Sequence, residues 1–556
     1  MISTHAVDNM VADIRSDRFH FAGFTPNQTW YGSLNSVAFD FADIKTKLLN
    51  LDQPCYIVRI NDEIGVSNEG YISAIDNGKI GQAELLIATP PTSIQQLGDP
   101  NFLTFHQVKY AYATGAMAHG IASEDLVIAL GKQKLLSSFG AGGLSPSRVE
   151  AAIKRIQQAL PQGPYAFNLL HSPSEPAIER KAVDLYLKYN VNTIEASAFL
   201  DLTPNIVYYR AAGLSLNSAN QIVIKNKLIA KLSRREIATK FLHPAPPKIL
   251  KELVSQNLIT ELQATLAEKV PLADDITVEA DSGGHTDNRP LVCLLPSIIE
   301  LRDEIQAKYH YKNPVRIGVA GGISTPQSAL AAFMMGAAYV VTGSINQSCI
   351  EAGTSPHTKE LLAQAEMPDV MMAPAADMFE MGVKLQVLKR GTLFPIRAQK
   401  LYELYKTYDS IDDIPSVERD KIEKQIFRRS LDAVWQDTVA YVSTRNPGKI
   451  AKAANNPKLK MALIFRWYLG LSSRWSNAGE AGREIDYQIW CGPGMGSFND
   501  WVRGSYLSEP SNRKVADVAN QIMTGTAYLY RVQSLKLQGL QIPAFFSQYH
   551  PISSNT

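Results

Sequence analysis

The sequence predicts an α/β fold built around a TIM barrel, the closed (β/α)8 arrangement, with a small β-rich domain before it and a helical extension after it. Two observations predict the barrel. Short apolar runs alternate with helix-like segments from about residue 107 to residue 343, a pattern typical of parallel strands joined by helices. Eight such runs are present, and eight strands close a TIM barrel. A doubly wound open sheet is the alternative.

The segment before the barrel predicts a separate β-rich domain, which we place at residues 1–104. It contains three β-leaning runs, CYIVRI (55–60), EGYISAI (69–75) and AELLIAT (83–89). Asn, Asp and Gly residues separate these runs, as expected of turns between short strands. The sequence of this domain indicates no function for it.

Eight apolar runs are the candidate barrel strands, and we place the barrel domain at residues 105–366. Helical patterns lie between most of them, with Ser-Pro or Thr-Pro at their starts, a signal typical of helix N-termini. The predicted strands are VKYAYAT (108–114), KLLSSFG (134–140), YAFNLL (165–170), VNTIEAS (191–197), QIVIKN (221–226), DITVEA (275–280), VRIGVA (315–320) and AYVVTG (338–343).

Beyond the barrel the strand signals fade, and long helical patterns predict a helical lid or extension at residues 367–556. Examples are RAQKLYELYKTY and SVERDKIEKQIFRRSLDAVWQDTVAYV. The region also carries aromatic and Gly-rich stretches, notably FRWYLGLSSRW (465–475) and YQIWCGPGMGSF (487–498).

Composition favours a folded soluble protein and excludes several classes of function. Hydrophobic residues make up 45% and charged residues 19%, and the net charge is only +2, so charge alone would not recruit nucleic acid or an anionic membrane. No apolar stretch approaches the roughly 18 residues of a transmembrane helix. The N-terminus lacks the apolar core of a secretory signal, and the four cysteines lack zinc-ligand or disulfide spacing. We therefore expect a cytoplasmic protein without a metal site.

Two Gly-containing loops after the last two predicted strands indicate a phosphate site. Such loops let backbone N–H groups approach a phosphate, and a helix N-terminus adds partial positive charge. Phosphate groups bind at this corner in many TIM barrels, so FMN, a nucleotide and a sugar phosphate are all possible ligands. The loops consist of Ala320, Gly321 and Gly322 after strand seven and Thr342, Gly343 and Ser344 after strand eight.

A histidine in the loop after strand six is the candidate catalytic residue. The loop reads EADSGGHTDNRP, and His285 follows Gly283 and Gly284. The two glycines let the backbone pass close to a flat ligand. His285 then enters the barrel mouth as an acid or as a hydrogen-bond donor to a substrate carbonyl. Asp281 in the same loop is a further cofactor-binding candidate.

Polar and small residues in other strands complete the predicted cofactor site. Asn168 in strand three can hydrogen-bond the edge of a flavin ring, and Lys225 in strand five can stabilise negative charge at the flavin N1–C2=O region. Small residues that would let a planar ring lie against backbone are Ala116, Met117 and Ala118 after strand one and Gly142 after strand two.

These motifs together resemble one superfamily. TGAMAHGIASEDL, SSFGAGGLSP, PYAFNLL, EADSGGHTDNRP with LLPSI, VAGGIS and VVTGS follow one another across residues 105–350, and they are similar to the motifs of nitronate monooxygenases and FabK-type enoyl reductases. The continuation PAADMFEMGVKLQVLKRGTLFPIRAQKLYELY (374–405) resembles PfaD-type enoyl reductase subunits of bacterial polyunsaturated fatty acid synthases and their trans-acting polyketide synthase relatives.

The resemblance implies a reaction and its partners. FMN would bind at the barrel mouth with its phosphate at Gly321, Gly322, Gly343 and Ser344, and NADPH would reduce it. Hydride would then pass to the β-carbon of a trans-2-enoyl thioester on an acyl carrier protein, with His285 in the place of the family's active-site histidine. The family text there is Glu-Ala-Gly-Gly-His, whereas this chain has Asp281 and Ser282 inserted. A homodimer is a further expectation of the class.

Two alternative functions stay open from the sequence. A nitronate monooxygenase would share the barrel, FMN and the histidine but would use O₂ without a nicotinamide. A catalytically silent docking subunit of a synthase complex would keep the barrel for assembly alone. Basic residues in the helical region that can meet an acidic carrier protein are Lys384, Lys389, Arg390 and Arg397.

Overall fold

The N-terminal part of the chain folds into a five-stranded antiparallel sheet. Its strands lie in the order Glu63–Ser67, Cys55–Ile60, Gln82–Thr89, Thr29–Tyr31 and Tyr71–Ser73. The computed structural model describes residues 19–23, 28–73, 81–172, 176–443 and 446–553. The predicted β-rich domain is confirmed, and only residues 74–75 of its three predicted strand runs lie outside the described residues. Its elements are β1 (His20–Phe21), β2 (Thr29–Tyr31), α1 (Phe41–Leu49), β3 (Cys55–Ile60), β4 (Glu63–Ser67), β5 (Tyr71–Ser73) and β6 (Gln82–Thr89).

A closed barrel of eight parallel strands follows, which confirms the predicted (β/α)8 fold and makes the open-sheet alternative wrong. Around the barrel the strands pair in chain order, and the last strand pairs back to the first. The elements are α2 (Pro100–His106), β7 (Tyr112–Thr114), α3 (Glu124–Lys132), β8 (Leu136–Phe139), α4 (Pro146–Ala159), β9 (Ala166–Leu170), α5 (Pro176–Lys188), β10 (Thr193–Ser197), α6 (Pro204–Ala212), β11 (Leu214–Leu216), β12 (Ile222–Ile224), β13 (Lys227–Leu232), α7 (Arg235–Leu242), α8 (Pro247–Ser255), α9 (Glu261–Ala267), β14 (Asp275–Glu279), α10 (Leu291–Tyr309), β15 (Arg316–Ala320), α11 (Pro326–Met334) and β16 (Val340–Thr342).

The fifth strand lies later in the chain than predicted. The run at 221–226 contains β12, which pairs antiparallel with β11 in a hairpin outside the barrel. The next apolar run forms β13, which pairs in parallel with β10 and β14. Both runs have high β-propensity, and propensity does not distinguish a barrel strand from a hairpin strand. Lys225 is therefore outside the barrel, where it is exposed and donates to Asn190 Oδ1 at 2.7 Å.

The N-terminal end of the barrel is closed by α2. Phe102 stacks on Tyr339 with ring centroids 4.2 Å apart. Beside them, Asp275 accepts a hydrogen bond from Arg316 Nε at 2.6 Å and lies 2.8 Å from His106 Nε2, and all three side chains are buried. Burial opposes the charge on Asp275, but Arg316 and His106 hold the pKa of its carboxyl below the usual range. Since this end is filled, a ligand must enter at the C-terminal ends of the strands.

The helical C-terminal region predicted from the sequence is confirmed, and part of it forms a second core around Phe379, Phe394, Phe427, Phe465 and Tyr468. Its elements are α12 (Pro356–Ala363), β17 (Val370–Pro374), β18 (Lys384–Leu388), α13 (Phe394–Thr407), α14 (Ser416–Ile422), α15 (Leu431–Ser443), α16 (Pro447–Ala454), α17 (Pro457–Ala478), α18 (Gly494–Val502), α19 (Val515–Leu537) and β19 (Leu540–Gln541). Among the described residues, no helix has the length and apolarity needed to cross a membrane.

Helix α19 occupies the place of the eighth barrel helix, although it begins far beyond strand eight. It packs mainly on α11 and also on α3. Gly525 allows this approach, because a Cβ atom there would lie 2.6 Å from Pro326 Cγ. The residues between β16 and α19 are therefore an insertion in the last βα unit. The domain limits predicted at residues 104 and 366 stay predictions.

Candidate active site

Two loops at the C-terminal end of the barrel leave open space of the kind a phosphate needs. Apart from the flanking residues, no atom of the described residues lies within 4 Å of the position that a Cβ atom would take at Gly322 or Gly343. Gly321 has φ +86, and a Cβ there would lie 2.7 Å from the main chain of Ala280. Only glycine tolerates that conformation and that approach without strain. The two loops thus form a cradle whose walls are main chain.

The N-terminus of α18 forms a third side of this cradle. The Gly492 N–H donates to Ser344 Oγ at 3.0 Å, and a Cβ atom at Gly494 would lie 3.6 Å from the Cα of Gly322. No side chain caps α18 among the described residues. The N–H groups of Met495 and Gly496 donate to the main-chain carbonyls of Gly492 and Pro493, whereas the Gly494 N–H makes no hydrogen bond within the described part of the chain and is available to an anion. Sequence reasoning assigned no role to this segment. The signal was the run CGPGMGS directly before a helical pattern.

Two other predicted members of the loops have internal partners. The Thr342 hydroxyl lies 2.6 Å from Tyr112 Oη and accepts a hydrogen bond from Asn346 Nδ2 at 3.0 Å. Ala320 is buried and belongs to the apolar core inside the barrel. These residues hold the ends of the loops in place, and their direct role in binding a cofactor stays a prediction.

Small residues and buried polar groups line the floor of the barrel mouth. Asn168 is buried and donates to Ser197 Oγ at 2.8 Å, and its Oδ1 would lie 3.4 Å from a Cβ atom on Gly142. The Ala116 N–H donates to the carboxylate of Glu195 at 3.2 Å. The structure therefore brings together the predicted loops after strands one and two with Asn168. Met117 and Ala118 lie in the same loop as Ala116.

Lys231, rather than Lys225, is the lysine inside the barrel mouth. Its Nζ lies 3.3 Å from Glu279 Oε1 and 3.9 Å from Glu195 Oε1, and its side chain is 17% exposed. Burial would lower the pKa of Lys231, but the two carboxylates outweigh burial and raise it. A charged ammonium group is thus held between two strands that flank β13. The sequence signal was the second lysine in the run KLIAKL.

His285 lies at the rim of the mouth and contacts a residue from the inserted region. Its Nε2 atom is 3.1 Å from Oδ1 of Asp377. Partial desolvation at the rim would lower the pKa of His285, whereas the hydrogen bond and charge of Asp377 and the charge of Glu279 raise it overall. The pKa of Asp377 is correspondingly lowered by His285, against the effect of partial desolvation. His285 is therefore disposed to carry a proton near neutral pH.

The rest of the His285 loop is held by the β17–β18 hairpin. Gln386 exchanges two main-chain hydrogen bonds with Gly284 and donates its side-chain amide to Asp281 Oδ1 at 2.8 Å. Asn288 Nδ2 donates to the same carboxylate oxygen at 2.8 Å. A Cβ at Gly283 would lie 2.8 Å from the main-chain N of Cys491. Gly283 thus admits protein main chain, and the cofactor contacts predicted for Asp281, Gly283 and Gly284 stay predictions.

The arrangement has the parts that a two-electron reduction of a carbonyl-conjugated substrate requires. A glycine cradle with a helix N-terminus can hold a phosphate, a buried ammonium group can stabilise negative charge, and a histidine at the rim can supply a proton. Among the predicted basic residues of the helical region, Arg390 pairs with Asp369 and Arg397 with Asp486.

Comparison with known proteins agrees with this geometry. The nitronate monooxygenase family model matches residues 100–403, more than half of the chain. The chain belongs to the nitronate monooxygenase family. The model for the N-terminal domain of the fatty acid synthase subunit PfaD matches residues 30–91. The model for the inserted helical domain of [acyl-carrier-protein] S-malonyltransferase matches residues 408–487.

Within the nitronate monooxygenase family the chain belongs with enoyl reductases. Its sequence is 37% identical to that of the enoyl reductase domain of MlnA from Bacillus amyloliquefaciens, whose crystal structure matches this one with a TM-score of 0.76. The match covers 80% of this chain and 100% of that domain. The chain is therefore an enoyl reductase-type oxidoreductase, and the predicted family is confirmed.

This chain spans only part of the length of the longer relatives that it matches. A polyunsaturated fatty acid synthase subunit of Thraustochytrium sp. is 49% identical over 90% of this chain, which spans 33% of that relative. Polyketide biosynthesis protein PksE of Bacillus subtilis is 46% identical over 79% of this chain, which spans 58% of PksE. The activity and partners of those whole proteins are therefore proposals for this chain.

Proposed function

We propose that this chain reduces trans-2-enoyl thioesters carried on an acyl carrier protein, with NADPH as the reductant and FMN as the bound cofactor. The observation that carries the proposal is the ion pair between His285 and Asp377 at the mouth of a barrel that also holds a buried lysine and an open glycine cradle. Similarity to an enoyl reductase domain over that domain's whole length supports the reaction class.

The residues present fit FMN. The open space at Gly322 and Gly343 and the uncapped helix at Gly494 suit its phosphate group. We place its planar ring over the floor beside the small residues Ala116 and Gly142. When bound, FMN supplies the hydride transfer that connects the nicotinamide to the enoyl β-carbon.

Lys231 and Asn168 are the residues we propose to act on the cofactor ring. The Lys231 ammonium group lies in a buried position where its charge is worth more than in water, so it stabilises a developing negative charge nearby. Glu195 and Glu279 keep this lysine charged and restrict its position. Asn168 is fixed by Ser197 and so presents its amide in one orientation.

His285 is the residue we propose to protonate the α-carbon of the substrate. Its Nε2 atom is bound to Asp377, which leaves Nδ1 to give the proton. Asp377 holds the ring in one orientation and favours the charged imidazolium form by raising the pKa of His285. The proton taken from His285 must be restored from solvent, and the 42% exposure of its side chain allows this.

The test is a product assay on the purified chain. It is incubated with NADPH and a trans-2-enoyl thioester of a carrier protein, and the saturated thioester is sought by mass spectrometry. We expect NADPH-dependent product and a loss of about 100-fold or more in the His285→Ala variant, as is typical when a general acid is removed. Turnover of a nitronate with O₂ and no enoyl reduction would instead indicate the monooxygenase, and a chain that binds no flavin would indicate the docking subunit.

A further inference from the structure

A polar pocket lies on the rim of the barrel, apart from the glycine cradle. Its volume is about 490 Å³. It is formed between the loop after β13 and the loop after β14, whereas the glycine cradle is formed after β15 and β16. Charged and polar side chains alone form its lining, which consists of Ser233, Arg234, Arg235, Glu236, Asp287 and Arg289.

Two of the three arginines in this pocket make ion pairs with carboxylates. The third, Arg289, acts on Asp287 through its charge but makes no ion-pair contact among the described residues. Arg234 bonds Asp287 through Nε and Nη2 at 3.0 Å each, and Arg235 Nη2 donates to Glu304 at 2.9 Å. Within the described part of the chain, no ion pair or side-chain hydrogen bond engages the guanidinium group of Arg289, which is exposed. The pocket therefore offers the five N–H donors of the Arg289 guanidinium group, beside the carboxylates of Glu236 and Asp287.

The backbone adds donors to the same pocket. Helix α7 begins at Arg235, and Arg234 makes no side-chain cap at its N-terminus. The free N–H groups of the first helical turn and a guanidinium group together are the donors that phosphate prefers. An acyl chain would find no apolar wall here, because every lining residue is polar or charged.

The position of the pocket relates it to the reaction. Ser233 follows Lys231 by two residues, and Asp287 follows His285 by two residues, which corresponds to about 7 Å of extended chain in each case. The pocket is thus within two residues along the chain of the two residues proposed to act on cofactor and substrate. A ligand held here by one end can place its other end in the mouth.

We propose that this pocket binds the phosphate group of a second ligand that reaches into the active site. The inference rests on the proposed function, which supplies two such ligands: the phosphodiester of a phosphopantetheine arm and the 2′-phosphate of NADPH. Both present a phosphate at a distance from a reactive end, and Arg289 is the residue that recognises it.

The test measures binding by calorimetry on the full chain and on Arg289→Gln. The matched control is Lys251→Gln, which removes one positive charge from an exposed position on α8. The probes are two pairs that differ in a phosphate: phosphopantetheine against pantetheine, and NADPH against NADH. We expect Arg289→Gln to weaken the binding of one phosphorylated probe about tenfold, as loss of a charge-assisted hydrogen bond would. Arg289→Gln should bind the unphosphorylated probe of that pair as the unmodified chain does, and Lys251→Gln should bind both probes unchanged. The responding pair identifies the source of the phosphate.

Three results would overturn the proposal: no preference of the unmodified chain for either phosphorylated probe, no effect of Arg289→Gln on that preference, or an equal loss for both members of a pair. These binding results are independent of turnover. If the pocket binds phosphate through Arg289 but no enoyl thioester is reduced, the proposed function fails while the phosphate site stands.

Discussion

The carboxylate of Asp377 lies 3.1 Å from Nε2 of His285, although 92 positions separate the two residues in the chain. His285 belongs to a barrel loop and Asp377 to the insertion between β16 and α19. The insertion thus contributes directly to the proposed proton donor. A barrel without it would leave the imidazole with a lower pKa, because the hydrogen bond and charge of Asp377 would be lost and only the charge of Glu279 would oppose desolvation.

The Asp377→Asn variant should lose activity on the alkaline side. A proton donor works while it is protonated, so activity is retained below its pKa and falls as pH rises through it. Asp377 raises the pKa of His285, and its removal should move this fall to lower pH. The measurement is kcat/KM for enoyl reduction as a function of pH. An unchanged alkaline limb would show that Asp377 does not set the protonation of His285.

The Lys231→Met variant should lower kcat about 100-fold, because a buried positive charge near the cofactor ring is removed. Lys231→Arg should retain more of the activity, since the charge is kept. The matched control is Lys225→Met, which removes an exposed lysine whose Nζ bonds only Asn190 among the described residues, and it should be near wild type. Equal losses from the two methionine variants would contradict the assignment of Lys231.

The Gly343→Ala variant should release flavin. Its Cβ would enter space that, apart from the flanking residues, no atom in the described part of the chain approaches within 4 Å, so the fold has room for it while a phosphate would be displaced. We expect flavin affinity to fall about tenfold, which is about 1.4 kcal/mol of binding free energy, measured as flavin retained after gel filtration. Gly470→Ala is the control, because that position on α17 is equally open and lies outside the cradle. A flavin content equal to wild type would place the phosphate elsewhere.

The Arg531→Met variant should destabilise the whole chain. Arg531 on α19 is fully buried and donates to the main-chain carbonyls of Leu48, Asn50, Leu51 and Gln53 at distances of 2.7 to 3.2 Å. Its loss removes these hydrogen bonds from Leu48 and Gln53, while the carbonyls of Asn50 and Leu51 keep main-chain donors. The change should cost about 2–4 kcal/mol in the free energy of unfolding.

Denaturant titration measures this cost for Arg531→Met. The control is Arg503→Met, since the Arg503 side chain is 75% exposed and, among the described residues, forms its ion pair with Asp500, three positions earlier. Such a surface pair contributes less than about 1 kcal/mol. Equal stability of the two variants would mean that Arg531 does not join the N-terminal domain to α19.

The barrel was predictable because its signal is periodic and repeated. Seven of the eight predicted strands overlap barrel strands, and the Gly-rich loops after strands seven and eight lie where strand ends place them. The prediction of the fifth barrel strand was wrong because two apolar runs, 221–226 and 227–232, follow one another directly. Local propensity is equal in both, and only pairing with β10 and β14 selects the second.

The parts of the site that were missed come from long-range packing. Asp377 and the α18 N-terminus reach the mouth only because the inserted region folds back over the barrel. Nothing in the local sequence at either position indicates its distance from His285 or Gly322. The same holds for α19, whose role as eighth helix depends on contacts with α11 and α3.

The most direct test of the central claim is anaerobic spectroscopy of the flavin in the purified chain. NADPH is added first, and a trans-2-enoyl thioester is added after the flavin bands have bleached. The account predicts bound flavin that NADPH bleaches and the enoyl thioester restores, without O₂. A reduced flavin that only O₂ reoxidises, or a chain that binds no flavin even on reconstitution, would contradict it.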